Sequence, residues 1–282
     1  MSGISRKSKL DIWLWALAFL VMIMAAVHQR RTGPTHPLRG HVMVGEQQLK
    51  YKLPRSAENV RDAKIVIPDP GLSARLLWRR YPTDDPFTVA FMAPELDGDK
   101  KKLSASLPSQ EAAGKVEYKI EVANSTIPDG ETVVLRFKGP VSAPVLILHV
   151  LIIFAAMLTS TRTGLGALLG RDEKRLPWIT LCLIFVGGIV LGTLVQKAAF
   201  GAYWTGWPLG SDLTDNKTLL MFVGWLTACL LMMFPRVKRP VIVLASALTL
   251  IMYLIPHSLR GSQLDYQQGV VKTGFAYSVF LK

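Results

Sequence analysis

VSAPVLILHVLIIFAAMLTS, residues 141–160, is the stretch on which the reading of this chain turns. It is apolar along almost its whole length, and its only ionisable residue is His149. A bilayer core needs about 20 such residues in helical form, so the run predicts a membrane-spanning helix. Runs at 12–27, 178–196, 218–234 and 241–256 repeat the pattern, giving five crossings if the first is retained. Half of the 282 residues are hydrophobic while 19% are charged, which is too apolar for an ordinary soluble protein and too charged for a wholly embedded one. A mixed organisation follows: an N-terminal anchor over 1–35, a soluble β domain over 36–140, four transmembrane helices over 141–256, and a tail over 257–282.

Charge sorts these parts. Between His36 and Pro140 there are 16 Lys/Arg and 14 Asp/Glu, so of the total of +13 the rest of the chain carries +11. Basicity confined to membrane flanks argues for the positive-inside rule and against nucleic-acid binding. The basic connections 162–175 and 235–240 are expected in the cytoplasm with the N-terminus. The β domain, the loop 200–217 and the tail then lie on the other side, the periplasm if the membrane is a bacterial inner membrane. Arg6, Lys7 and Lys9 before the first run fit a short anchor or a signal peptide; with Trp13 and Trp15 at the interface the anchor is favoured. Both cysteines, Cys182 and Cys229, lie in apolar runs, and no C-x-x-C-H is present, which excludes covalently attached haem.

From 41 to 138 the pattern changes to short alternating stretches between turn signals such as Asp69-Pro70-Gly71, Asp97-Gly98-Asp99 and Pro128-Asp129-Gly130. Strands are expected at 41–44, 48–52, 64–67, 74–80, 88–92, 103–107, 115–122 and 132–137, with Trp78 in the core. This is the pattern of an antiparallel β-sandwich of about 100 residues. The stretch from Leu107-Pro108 to Tyr118 looks like the turn and late strand of immunoglobulin-like domains.

Chemistry concentrates elsewhere. The loop 200–217 contains Tyr203, Trp204, Trp207, Asp212, Asp215 and Asn216. Two readings are open: interfacial aromatics with an acidic cap for the next helix, or an aromatic platform whose Asp212, Asp215 and Asn216 contact a cation or a partner. His149 sits ~12 Å into its helix, and His257 ends the last run. Both belong to the leaflet of the tryptophan loop, so the pair is a candidate site for non-covalent haem b or a quinone, with Tyr203, Trp204 and Trp207 as a shelf. The plainer alternative is a hydrogen bond from His149 to a neighbouring helix. Asp265 would join Asp212 and Asp215 in a carboxylate cluster for a hard cation unless Arg260 neutralises one of them. Gly188-x-x-x-Gly192 favours close helix packing. Adjacent His257 and Ser258 do not make a triad with Asp265, and there is no P-loop, H-E-x-x-H or dinucleotide fingerprint, so no catalytic residue is assigned.

Three segments together carry a resemblance: Arg136-Phe137-Lys138-Gly139 through His149 to Gly164; Gln196-Lys197 through Lys217; and Pro256-His257-Ser258 through Tyr266. They resemble a family of uncharacterised bacterial inner-membrane proteins. More distantly, Trp204-x-x-Trp207 near membrane histidines looks like the haem-handling loop of cytochrome c maturation proteins, although its Trp-x-Trp-Asp core is absent. The expectation is a non-enzymatic accessory or assembly subunit that binds a membrane or periplasmic protein, with a haem- or quinone-binding protein as the alternative.

Overall fold

A computed structural model describes residues 6–257 and 261–272; Ser258, Leu259 and Arg260 lie outside the described residues. The described residues fall into two compact units, one drawn from 6–33, 141–197, 202–257 and 261, the other from 34–140, 198–201 and 262–272.

The second unit is built of β-strands. Its elements are β1 (Leu38–Val44), β2 (Gln47–Leu53), β3 (Ser56–Glu58), β4 (Ala63–Pro68), β5 (Ala74–Arg80), β6 (Thr88–Phe91), β7 (Ala93–Asp97), β8 (Lys100–Leu107), β9 (Lys115–Val122), β10 (Ser125–Ile127), β11 (Val133–Lys138), β12 (Gln263–Asp265) and β13 (Val270–Lys272). Strands stand at all eight expected stretches. One sheet has the order β3-β11-β9-β5-β6 with β10 on β9; a second runs β4-β8-β7; β1-β2 and β12-β13 form separate pairs. All pairings are antiparallel except β3 with β11.

Alternation explains the packing. In β4, Ala63, Ile65 and Ile67 point inward and Lys64 outward, as a period of two requires. They join Leu76, Leu107, Ile120 and Leu135 in one apolar core. Tyr118 and Phe137 are its fully buried aromatics, and the Tyr118 hydroxyl donates to the Pro54 carbonyl at 2.8 Å. Trp78, expected at the centre, is only partly buried against the core. The tail's β12 is held to this unit: Leu264 N donates to Ala113 O at 3.1 Å, Tyr266 Oη to Lys115 O at 2.7 Å, and Lys115 Nζ to Gln263 Oε1 at 2.8 Å.

The other unit is helical: α1 (Arg6–Thr32), α2 (Ala143–Leu168), α3 (Leu176–Ile184), a π-helical segment (Phe185–Leu191), α4 (Gly192–Phe200), α5 (Leu213–Leu231) and α6 (Lys238–Leu254). Three stretches, Lys9–Thr32, Ala143–Leu168 and Leu176–Phe200, are long and apolar enough to cross a membrane. The two remaining helices are 19 and 17 residues long, and α5 carries Asp215 and Lys217 near its start. Met22 and Ala25 of α1, Met157 of α2, Trp225 of α5 and Tyr253 of α6 share an apolar core.

The end of α2 departs from expectation. The polar run Ser160-Thr161-Arg162-Thr163 continues the helix to Leu168 instead of opening a loop. Thr159 and Thr163 return their hydroxyls to the carbonyls of Ala155 and Thr159, at 2.9 and 2.6 Å, which satisfies them without leaving the helix. Arg162 is thereby buried, and it donates to Asp11 of α1 and, at 2.9 Å, to Glu173.

Candidate functional site

The tryptophan loop is folded by its own polar groups. Asp212, 2% exposed, caps α5: its Oδ1 accepts from Thr214 N at 2.8 Å. Asp215 Oδ2 accepts from Thr205 N at 2.6 Å and from Thr205 Oγ1 at 3.0 Å. Gln196 of α4 donates to the same hydroxyl at 2.9 Å. Asn216 Oδ1 accepts from Trp207 N at 2.7 Å, and Trp204 Nε1 donates to Trp207 O at 3.0 Å. Gly206 is required where the loop meets α5, because a Cβ there would stand 2.7 Å from that of Asp215.

This stitching sets which side chains face outward. Tyr203, Trp207 and Leu209 are exposed, and the Lys197 ammonium lies 5.3 Å from the Tyr203 ring centre. A hydrogen-bonded loop presents them as a fixed apolar surface.

A second group of residues gathers within the helices. His149 Nδ1 lies 2.8 Å from Gly187 O; since a carbonyl only accepts, the proton is on Nδ1 and Nε2 keeps its lone pair. Gly187 O is reached across the wide turn of the π-helical segment, where it also accepts from Gly192 N. Lys217, buried at the start of α5, donates to Ile255 O at 2.6 Å. His257 lies two residues beyond Ile255, whose carbonyl Lys217 reaches.

The site residues expected from sequence divide accordingly. Tyr203, Trp204, Trp207, Asp212, Asp215 and Asn216 lie in one loop and the helix start that follows it, while His149 is hydrogen-bonded to the π-helical segment. Asp265 belongs to the β unit, where it pairs with Lys272 and accepts from Gln267 N and Gln268 N at 2.9 and 3.1 Å. Lys272 beside it holds its carboxyl below the usual carboxylate range. The acidic residues therefore have local partners, and among the described residues no group of three His, Cys, Asp or Glu is gathered to hold a metal ion. Sequence reasoning missed Thr205, Gln196 and Lys217. Of these only Lys217, a charge at the mouth of an apolar run, carried a signal.

Comparison with protein-family models, with curated proteins and with solved structures finds no match for this chain.

Proposed function

We propose that this chain is a non-enzymatic accessory or assembly protein of the bacterial inner membrane that holds a partner protein through its tryptophan loop. The observation that carries this reading is the outward display of Tyr203, Trp207 and Leu209 on a loop whose carboxylates and amide are turned inward to fix it. A preorganised aromatic surface suits binding, because little ordering entropy remains to be lost on contact. In this reading α5 and α6 complete a transmembrane bundle with α2 and the α3–α4 helix. Residues 36–140 form an immunoglobulin-like sandwich on the periplasmic side, and the N-terminus is cytoplasmic, as the basic flanks require. The test is a photo-reactive residue at Trp207 in cells. A discrete protein adduct, absent when the probe stands at exposed Leu168, is expected; adducts to lipid alone overturn the reading.

A second reading rests on His149. A ring whose Nδ1–H is fixed by a backbone carbonyl and whose Nε2 is left as an acceptor is oriented as haem-ligating histidines are. With His257 as a second imidazole, the ring suits a non-covalent haem, or a quinone whose carbonyl oxygens accept hydrogen bonds. The absorbance spectrum of protein purified after growth with ample haem decides the haem form: no Soret band removes it. Extraction of the purified protein for quinone decides the other: no quinone retained above a His149→Leu control removes it.

A further inference from the structure

The hairpin β1-β2 places basic side chains opposite one another. Its register sets Arg39 against Lys52 and His41 against Lys50, and all four side chains are exposed. Residues two apart on a strand share a face, so the four form one ladder of basic groups. Like charges directly opposite across a strand pair destabilise it. Among the described residues none of the four has an ion pair, although the neighbouring sheet pairs its own lysines, Lys64 with Glu95 and Lys102 with Asp97. The ladder opens onto a groove of about 640 Å³ lined by Arg39, His41, Lys50, Lys52 and Lys102, with Tyr51 beside them and no acidic residue in its wall. An anion lying along the ladder would offset its cost.

Sequence indicates which anion. Residues 33–37 alone separate β1 from α1, and α1 is long and apolar enough to cross a membrane. Five residues span at most about 18 Å, so the hairpin is tethered close to where that helix would leave the bilayer. There the abundant anions are lipid phosphates, which arginine contacts bidentately and lysine as a point charge.

We infer that the exposed face of the β1-β2 hairpin binds the phosphate-bearing headgroups of anionic phospholipids. The inference is independent of the tryptophan loop and of His149. It is tested on the full chain in nanodiscs of phosphatidylcholine alone or mixed with phosphatidylglycerol, by the rate at which a water-soluble acylating reagent modifies each lysine. Lys50 and Lys52 become several-fold slower to react in the anionic discs at low salt, Lys100 and Lys101 do not, and added salt abolishes the difference. Lys52→Glu, which sets a carboxylate opposite Arg39, leaves the melting temperature unchanged or higher while removing the protection of Lys50. Equal rates at Lys50 in the two discs overturn the inference. So does equal protection in phosphatidylcholine discs by soluble glycerol phosphate, which would mark a free-anion site, or by an acidic peptide, which would mark a protein site.

Discussion

Arg162 of α2 donates to Asp11 of α1 across 151 residues of sequence, and the same carboxylate accepts from Arg171 at 2.6 Å. Arg162 is 3% exposed and also contacts Glu173 and the face of Trp15, its guanidinium 5.6 Å from the ring centre. A buried guanidinium needs its carboxylates, because losing one leaves charge in a poorly solvated place. At the other end of α1, Gln29 Nε2 donates to Tyr253 O at 3.1 Å. We therefore expect α1 to stay with the mature protein: intact-mass measurement should show no loss of residues 1–27. Asp11→Asn should lower stability by about 1–3 kcal/mol, read as a drop of several degrees in melting temperature in detergent.

Gly188 faces Thr218, and a Cβ at Gly188 would lie 2.6 Å from the Thr218 methyl. Gly188→Ala should cost about 1–3 kcal/mol through overpacking, and Thr218→Ser in the same chain should restore most of it by deleting that methyl. The double-mutant cycle is measured by thermal unfolding. Additive losses would show that the glycine serves something other than this contact.

Asp215→Ala should remove the acceptor that the Thr205 amide and hydroxyl share, costing about 1–3 kcal/mol and shifting tryptophan emission to the red as Trp204 and Trp207 loosen. Asp265→Ala, whose amide partners Gln267 and Gln268 are exposed, should cost less. Comparable losses at the two positions would contradict the account of the loop.

Burial, followed by the charge of Arg136, lowers Lys115 from its ordinary 10.5 to about 8. Between those values the unfolded chain binds the proton and the folded one does not, so stability should rise with pH from about 8 towards 10. Beyond pH 10 the trend should reverse: burial raises the hydroxyl of Tyr266 to about 12 and that of Tyr118 further still, so the unfolded tyrosines ionise first. Melting temperature against pH, compared with Lys115→Met, checks this; the variant should show a smaller rise.

What the sequence made legible was what periodicity encodes. Val116, Tyr118, Ile120 and Val122 alternate inward along β9, and its bounds fall where the pattern put them. Apolar runs likewise became helices. Arg162 was illegible because a buried charge among hydroxyl side chains has the composition of a loop, and only the distant Asp11 and Glu173 make it a helix residue. Which of the two readings of Asp212, Asp215 and Asn216 the loop would favour was open for a related reason. Carboxylates beside tryptophans look like ligands until the backbone amides that occupy them are in view. Their positions in one loop were readable; their partners, Thr205 and Trp207, were not.

The wide turn at Phe185–Leu191 has a bearing on how this chain tolerates change. Successive residues of an α-helix are about 100° apart around the axis, so deleting one residue there would turn everything after it by roughly that angle. Gln196 would leave Thr205, and Gly187 would no longer offer its carbonyl to His149. The segment keeps two halves of one long helix in phase with different neighbours, and insertions or deletions should be excluded from it more stringently than substitutions.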